Sequence, residues 1–121
     1  MVDDFPVRDL LERWVEATNN QDSNSLGELL TADYIWHQPG RNIVGIEETK
    51  LVWRHIFEVS RLTIMVEDSI ISGNKTATRW SGEERNNSTG VVKRFSDITI
   101  DRIEDGKFAE TWEISSDKSW I

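Results

Sequence analysis

Any chemistry in this chain must come from carboxylates, hydroxyls, amides and aromatic rings. Cysteine is absent from its 121 residues, which excludes thiol nucleophiles, thiolate metal sites, disulfide staples and CxxC redox pairs. The only histidines, His37 and His55, fall on separate expected elements, so neither a metal site nor any other cofactor is expected. The polar residues Asp97 and Thr99, and likewise Thr111 and Glu113, are spaced by two. That spacing puts each pair on one face of an extended strand. A carboxylate on such a face, if buried, has its pKa raised by desolvation toward the range where it can take up and return a proton near neutral pH. A pocket lined by Trp14, Trp36 and aliphatic side chains, with few polar groups, would suit a flat apolar molecule.

These groups need a scaffold, and hydropathy periodicity supplies one. Val7, Leu10, Leu11, Trp14, Val15 and Thr18 recur at three- and four-residue steps, which predicts an amphipathic helix. Asp4 is its candidate cap and Pro6 suits its first turn. A short second helix follows, with Asp22 or the Ser25/Glu28 pair as its start signal. Residues 31–38 read as a strand halted by Pro39-Gly40, and Val52, Trp53, Ile56 and Phe57 mark a third helix. After Arg61 the period becomes two, giving a hairpin across 72–75, a turn at 85–90, a long strand over 91–103, a tight turn at 104–107 and a last strand over 108–114. The order ααβαββββ implies an α+β fold with the helices covering one face of a curved sheet.

The length suits a single domain over 1–121. A net charge of −8 without any Lys/Arg cluster disfavours nucleic acid and anionic membranes as partners, because phosphate binding is driven by cationic side chains. No stretch is long and apolar enough to span a bilayer, and the start MVDDFPVRDL has no signal-peptide character, so a soluble, cytoplasmic protein is expected.

Several fragments in fixed order then resemble one superfamily. They are Asn20-Gln21-Asp22, Leu29 to Tyr34, His37-Gln38-Pro39-Gly40, Gly45, Arg79-Trp80, and Arg102 to Lys107 leading to Thr111-Trp112-Glu113. The chain resembles the nuclear transport factor two-like superfamily and, within it, the SnoaL-like polyketide cyclase branch. That resemblance implies a cystatin-like fold, a cone-shaped barrel of mostly antiparallel sheet with three helices packed on its concave face. Members include cyclases, ketosteroid isomerases, dehydratases, epoxide hydrolases and binding modules, so fold alone supports no single reaction.

The resemblance also assigns positions. Gln38 falls where similar ketosteroid isomerases carry an Asp base, and Trp14 and Thr99 fall where they carry the two donors to the steroid carbonyl. An amide cannot abstract a proton at neutral pH, so that isomerase route is not expected. Glu113 falls where the cyclases have their acid/base carboxylate, with Asp97 and Thr99 as supporting polar residues and Thr111 as its face neighbour. Arg79 matches the Arg of limonene-type epoxide hydrolases, but Ser81 replaces one of their carboxylates. The loop over the pocket is cut to residues 86–90.

Periodicity and resemblance disagree on one point. Burying Ile98, Ile100, Trp112 and Ile114 would turn Asp97, Thr99, Asp101 and Glu113 to water, whereas the family orientation does the reverse. The family orientation requires a second copy of the chain over the convex apolar face, a homodimer. The resulting expectation is a pocket for a small apolar carbonyl compound. Glu113 is its catalytic residue, and Trp14, Trp36, Gln38, Arg79, Asp97, Thr99 and Thr111 contact the substrate. The alternative is a binding module of the same fold without turnover.

Overall fold

The computed structural model describes residues 5–116. Two helices, α1 (Phe5–Asn19) and α2 (Ser23–Glu28), lead into a hairpin of β1 (Leu30–Gln38) and β2 (Arg41–Val44), after which α3 (Ile46–Val59) crosses the sheet. A meander of β3 (Ser60–Ser72), β4 (Lys75–Asn86), β5 (Val92–Glu104) and β6 (Lys107–Ser115) completes the chain. The six strands form one sheet in the order β2-β1-β6-β5-β4-β3. Only the β1–β6 pair is parallel; the other neighbours are antiparallel.

The strand β2 is missing from the order expected from sequence. Pro39-Gly40 does not end the pairing: with Gly40 at φ +83° it makes a two-residue turn, and Gln38 pairs with Arg41 directly across it. Gly45, at φ +90°, then swings the chain from β2 into α3, a backbone angle that only glycine adopts without strain.

The helix starts and ends show how local chemistry fixes the frame. Of the two candidate caps on α2, Asp22 is the one used: its carboxylate accepts from Ser25 N at 3.0 Å and from Ser25 Oγ at 2.6 Å. The proposed Asp4 cap lies outside the described residues. β3 is an outer strand, and its open edge is met by side-chain amides from the end of α1 and the link to α2. Asn19 donates to Ile64 O and accepts from Ile64 N, and Gln21 does the same with Leu62. These bonds satisfy backbone groups that a neighbouring strand would otherwise take, and they tie the first helices to the sheet rim.

The helices lie on the concave side, where Leu10, Leu11, Leu26, Trp53 and Trp80 are buried in one core with Leu30 and Phe108. The convex side is different. Ile98 is 56% exposed and Ile114 71%, with Ile100 and Trp112 beside them. The family orientation of β5 and β6 is therefore the observed one, and the orientation from periodicity alone is reversed. No helix among the described residues is long and apolar enough to cross a membrane.

Candidate functional site

Strand alternation on the concave face brings one polar rung from each of four neighbouring strands into line. β1 presents Tyr34, Trp36 and Gln38, β6 presents Thr111 and Glu113, β5 presents Asp97, Thr99 and Asp101, and β4 presents Thr76, Thr78 and Trp80. Register fixes who meets whom: Trp36 lies beside Thr111, Thr111 beside Asp101 and Thr76 beside Asp101, while Glu113 lies beside Thr99. Above these rungs is a cavity of about 730 Å³ between sheet and helices, lined by most of them together with Trp14, Trp53 and Phe108.

Part of the cavity wall is aromatic. Trp36 stacks on Trp53 with ring centroids 5.3 Å apart and planes 6° from parallel, and Trp14 meets Trp53 and Phe108 edge-on. These contacts hold the rings as rigid, flat surfaces.

Asp101 is the least exposed carboxylate of the site, at 4%, and both its oxygens accept from donors. Thr111 Oγ1 donates to its Oδ1 at 2.5 Å, and Thr99 and Thr76 each donate to its Oδ2 at 3.3 Å. Two of these hydroxyls are themselves held: the Tyr34 hydroxyl donates to Thr111 at 2.7 Å and Trp80 Nε1 to Thr99 at 2.9 Å. Burial pushes the Asp101 carboxyl up to about 6, against the opposing pull of the three threonine donors. Tyr34 is raised well above its ordinary value by burial and by the nearby Asp101, so it stays a hydroxyl donor.

Glu113 and Asp97 are supplied differently. Glu113 Oε1 accepts a single hydrogen bond, from Trp36 Nε1 at 2.9 Å. Burial first, and then the Asp97 carboxylate within hydrogen-bonding reach, hold Glu113 well above the usual carboxylate range. Asp97 is 7% exposed, and its Oδ1 is buried without a hydrogen-bond donor. A Glu held up in this way can take up a proton and exchange it with a bound molecule.

Of the residues singled out from sequence, Trp14, Trp36, Gln38, Asp97, Thr99, Thr111 and Glu113 all line this cavity. Arg79 does not. Trp80 faces the cavity, so its neighbour Arg79 points to the convex side, where its Nε bonds Asp68 at 3.0 Å in an exposed ion pair. His37 is likewise on the outside, stacked on Trp112 and bonded to Glu110 at 2.6 Å. His55 is exposed at the cavity rim. Sequence reasoning missed Asp101, Tyr34 and the Trp80 indole as site members. The available signal was parity: Thr76, Thr78 and Trp80 alternate on β4 as Asp97, Thr99 and Asp101 do on β5.

Comparison with known proteins agrees with this geometry. Residues 11–111 match the SnoaL-like domain family. The fold superposes on TsrD from Streptomyces laurentii with a TM-score of 0.82 at 26% identity, covering 96% of this chain and 92% of that one. IdmH from Streptomyces antibioticus, a candidate polyketide cyclase, gives a TM-score of 0.78 at 25% identity, covering 93% of this chain and 92% of that one. An LEH-like epoxide hydrolase of M. tuberculosis shares the fold at 15% identity with a TM-score of 0.79, covering 89% of this chain and 80% of that one. No protein of curated function matches the sequence. With a matched segment that spans most of the chain and the same barrel in its structural neighbours, the protein belongs to the SnoaL-like domain family of the nuclear transport factor two-like superfamily.

Proposed function

We propose that the protein is a small enzyme that performs acid/base chemistry on an apolar carbonyl compound, with Glu113 as the proton-transferring group. The observation that carries this reading is the position of Glu113: one oxygen is fixed by Trp36 Nε1, the carboxyl is pushed up by burial, and the group opens onto an aromatic cavity. A general acid or base works best with a pKa near the working pH, and burial moves a Glu in that direction. Gln38 and Thr99 line the same wall and serve to orient the substrate. Resemblance to a candidate polyketide cyclase at 25% identity supports a carbonyl substrate and an outcome of isomerase, cyclase or lyase type.

The experiment uses 1-tetralone, a flat apolar ketone, as probe. Its binding should quench fluorescence of the Trp36–Trp53 stack, and Glu113→Gln should bind it with similar affinity. Wild-type protein that binds the probe yet never accelerates loss of its α-hydrogens to D2O would favour the binding-module alternative.

The same reading includes a homodimer. β5 and β6 carry the cavity groups on one side and the exposed Ile98, Ile100, Trp112 and Ile114 on the other. A patch of this kind on the back of the site strands suits a second copy of the chain. Native mass spectrometry should give a dimer at micromolar concentration, and Ile98→Lys should give a monomer.

A further inference from the structure

We propose that Asp97 and Glu113 hold one proton between them and act as a single two-sided acid/base, so that a bound ketone passes through its neutral enol. This rests on the reading that the cavity takes a carbonyl compound. Asp97 on β5 and Glu113 on β6 are diagonal neighbours across the register: they belong to the Asp97–Ser115 and Thr99–Glu113 pairs, which flank the Ile98–Ile114 pair. Glu113 Oε1 accepts from the Trp36 indole, and the Asp97 carboxylate lies within hydrogen-bonding reach of the Glu113 carboxyl. Asp97 Oδ1 is buried and meets no N–H or O–H donor.

Two ionised carboxylates in this arrangement would be acceptors facing acceptors, and a buried acceptor without a donor is destabilising. A single shared proton turns the repulsion into a charge-assisted hydrogen bond. Among the described residues the surroundings offer no other neutraliser. Among the charged groups facing the cavity, Asp101 and Glu84 are also acids, while Arg41 and His55 stand exposed at the rim. Among the described residues no ion pair joins a cation to Asp97 or Glu113. Tyr34, the remaining titratable group there, is engaged with Thr111.

Such a pair carries a base and an acid at once. In the forward step the α C–H bond breaks and its proton goes to the ionised oxygen of the pair. The shared proton goes to the carbonyl oxygen, C=O becomes C–O–H, and a C=C bond forms. The pair ends with one proton, as it began, and the substrate is never charged. This suits a cavity whose described lining has its basic groups, Arg41 and His55, only at the exposed rim. In the reverse step the carbon takes a proton from the pair, the enol O–H returns its proton to the pair, and the C=C bond reverts to C=O.

Infrared spectroscopy tests the shared proton directly. At about pH 8 Asp101 is ionised, since its own midpoint is about 6, so a carboxylic-acid C=O band at that pH belongs to the pair. The expected result is such a band in wild type, absent in Glu113→Gln, and titrating at least about one pH unit lower in Asp97→Asn, a tenfold weaker hold on the proton. Asp97→Ser serves if the Asn variant does not fold. Absence of the band in wild type, or an unchanged midpoint when Asp97 is replaced, overturns the shared proton. A band that behaves as expected without α-hydrogen exchange on 1-tetralone overturns the proposed function instead.

Discussion

Asp101 and Glu113 project from adjacent strands into the same cavity, yet their surroundings are opposite. Asp101 receives threonine hydroxyls on both oxygens, and those hydroxyls are fixed in turn by Tyr34 and Trp80. Glu113 has one indole donor and a second carboxylate as its other neighbour. A buried polar group with all its partners present rigidifies the fold around it. One that lacks a partner keeps an open valence for a proton or a substrate atom. Along this wall, donor supply separates the carboxylate that builds the site from the carboxylates proposed to work in it.

That contrast makes graded predictions. Thr111→Val leaves both the Tyr34 hydroxyl and Asp101 Oδ1 without their partner, and is expected to destabilise by about 3 kcal/mol in urea unfolding. If the loss is only a few tenths, the Asp101 cluster is not rigid. A second effect of similar size depends on pH. The Asp101 carboxyl rises from 3.8 to about 6 on folding, so the folded state binds more protons than the unfolded one between those values. The stability linked to this group is therefore fully present below about 4 and is lost as pH rises through about 6, roughly 3 kcal/mol for two pKa units. Asp101→Asn has no such titration. Its stability relative to wild type should improve by about that amount between about pH 4 and pH 7, and a constant difference would contradict the buried position of Asp101. The smallest effect belongs to the exterior. Arg79→Ala removes an exposed ion pair with Asp68 and should change stability by less than about 1 kcal/mol, with probe binding unaltered. A loss of binding would return Arg79 to the site.

How much of this was legible in the sequence depended on which physical signal each residue carried. The helices and the β3–β6 meander were readable because their periods are long and unambiguous. β2 was not: four residues with one buried side chain, Ile43, give too short a pattern, and the preceding Pro39-Gly40 reads equally as a stop or as a turn. On β5 and β6 alternation defines two faces but not which one the helices cover. Ile98, Ile100, Trp112 and Ile114 made the wrong face look like the core. Resemblance to the family points to the other face, the one on which Glu113, Asp97, Thr99 and Thr111 line the cavity. The same resemblance misplaced Arg79, although its parity against Trp80 on β4 already put it outside. Asp101 was overlooked because its role comes from Thr76 and Thr111 on neighbouring strands, and only the register reveals those partners.

The most direct test of the account is the exchange of the α-hydrogens of 1-tetralone in D2O, followed by NMR with wild type and with Glu113→Gln. The account predicts acceleration by wild type and a loss of about 100-fold or more in the variant, with binding of the ketone retained. Equal exchange by the two proteins would contradict a proton-transferring Glu113.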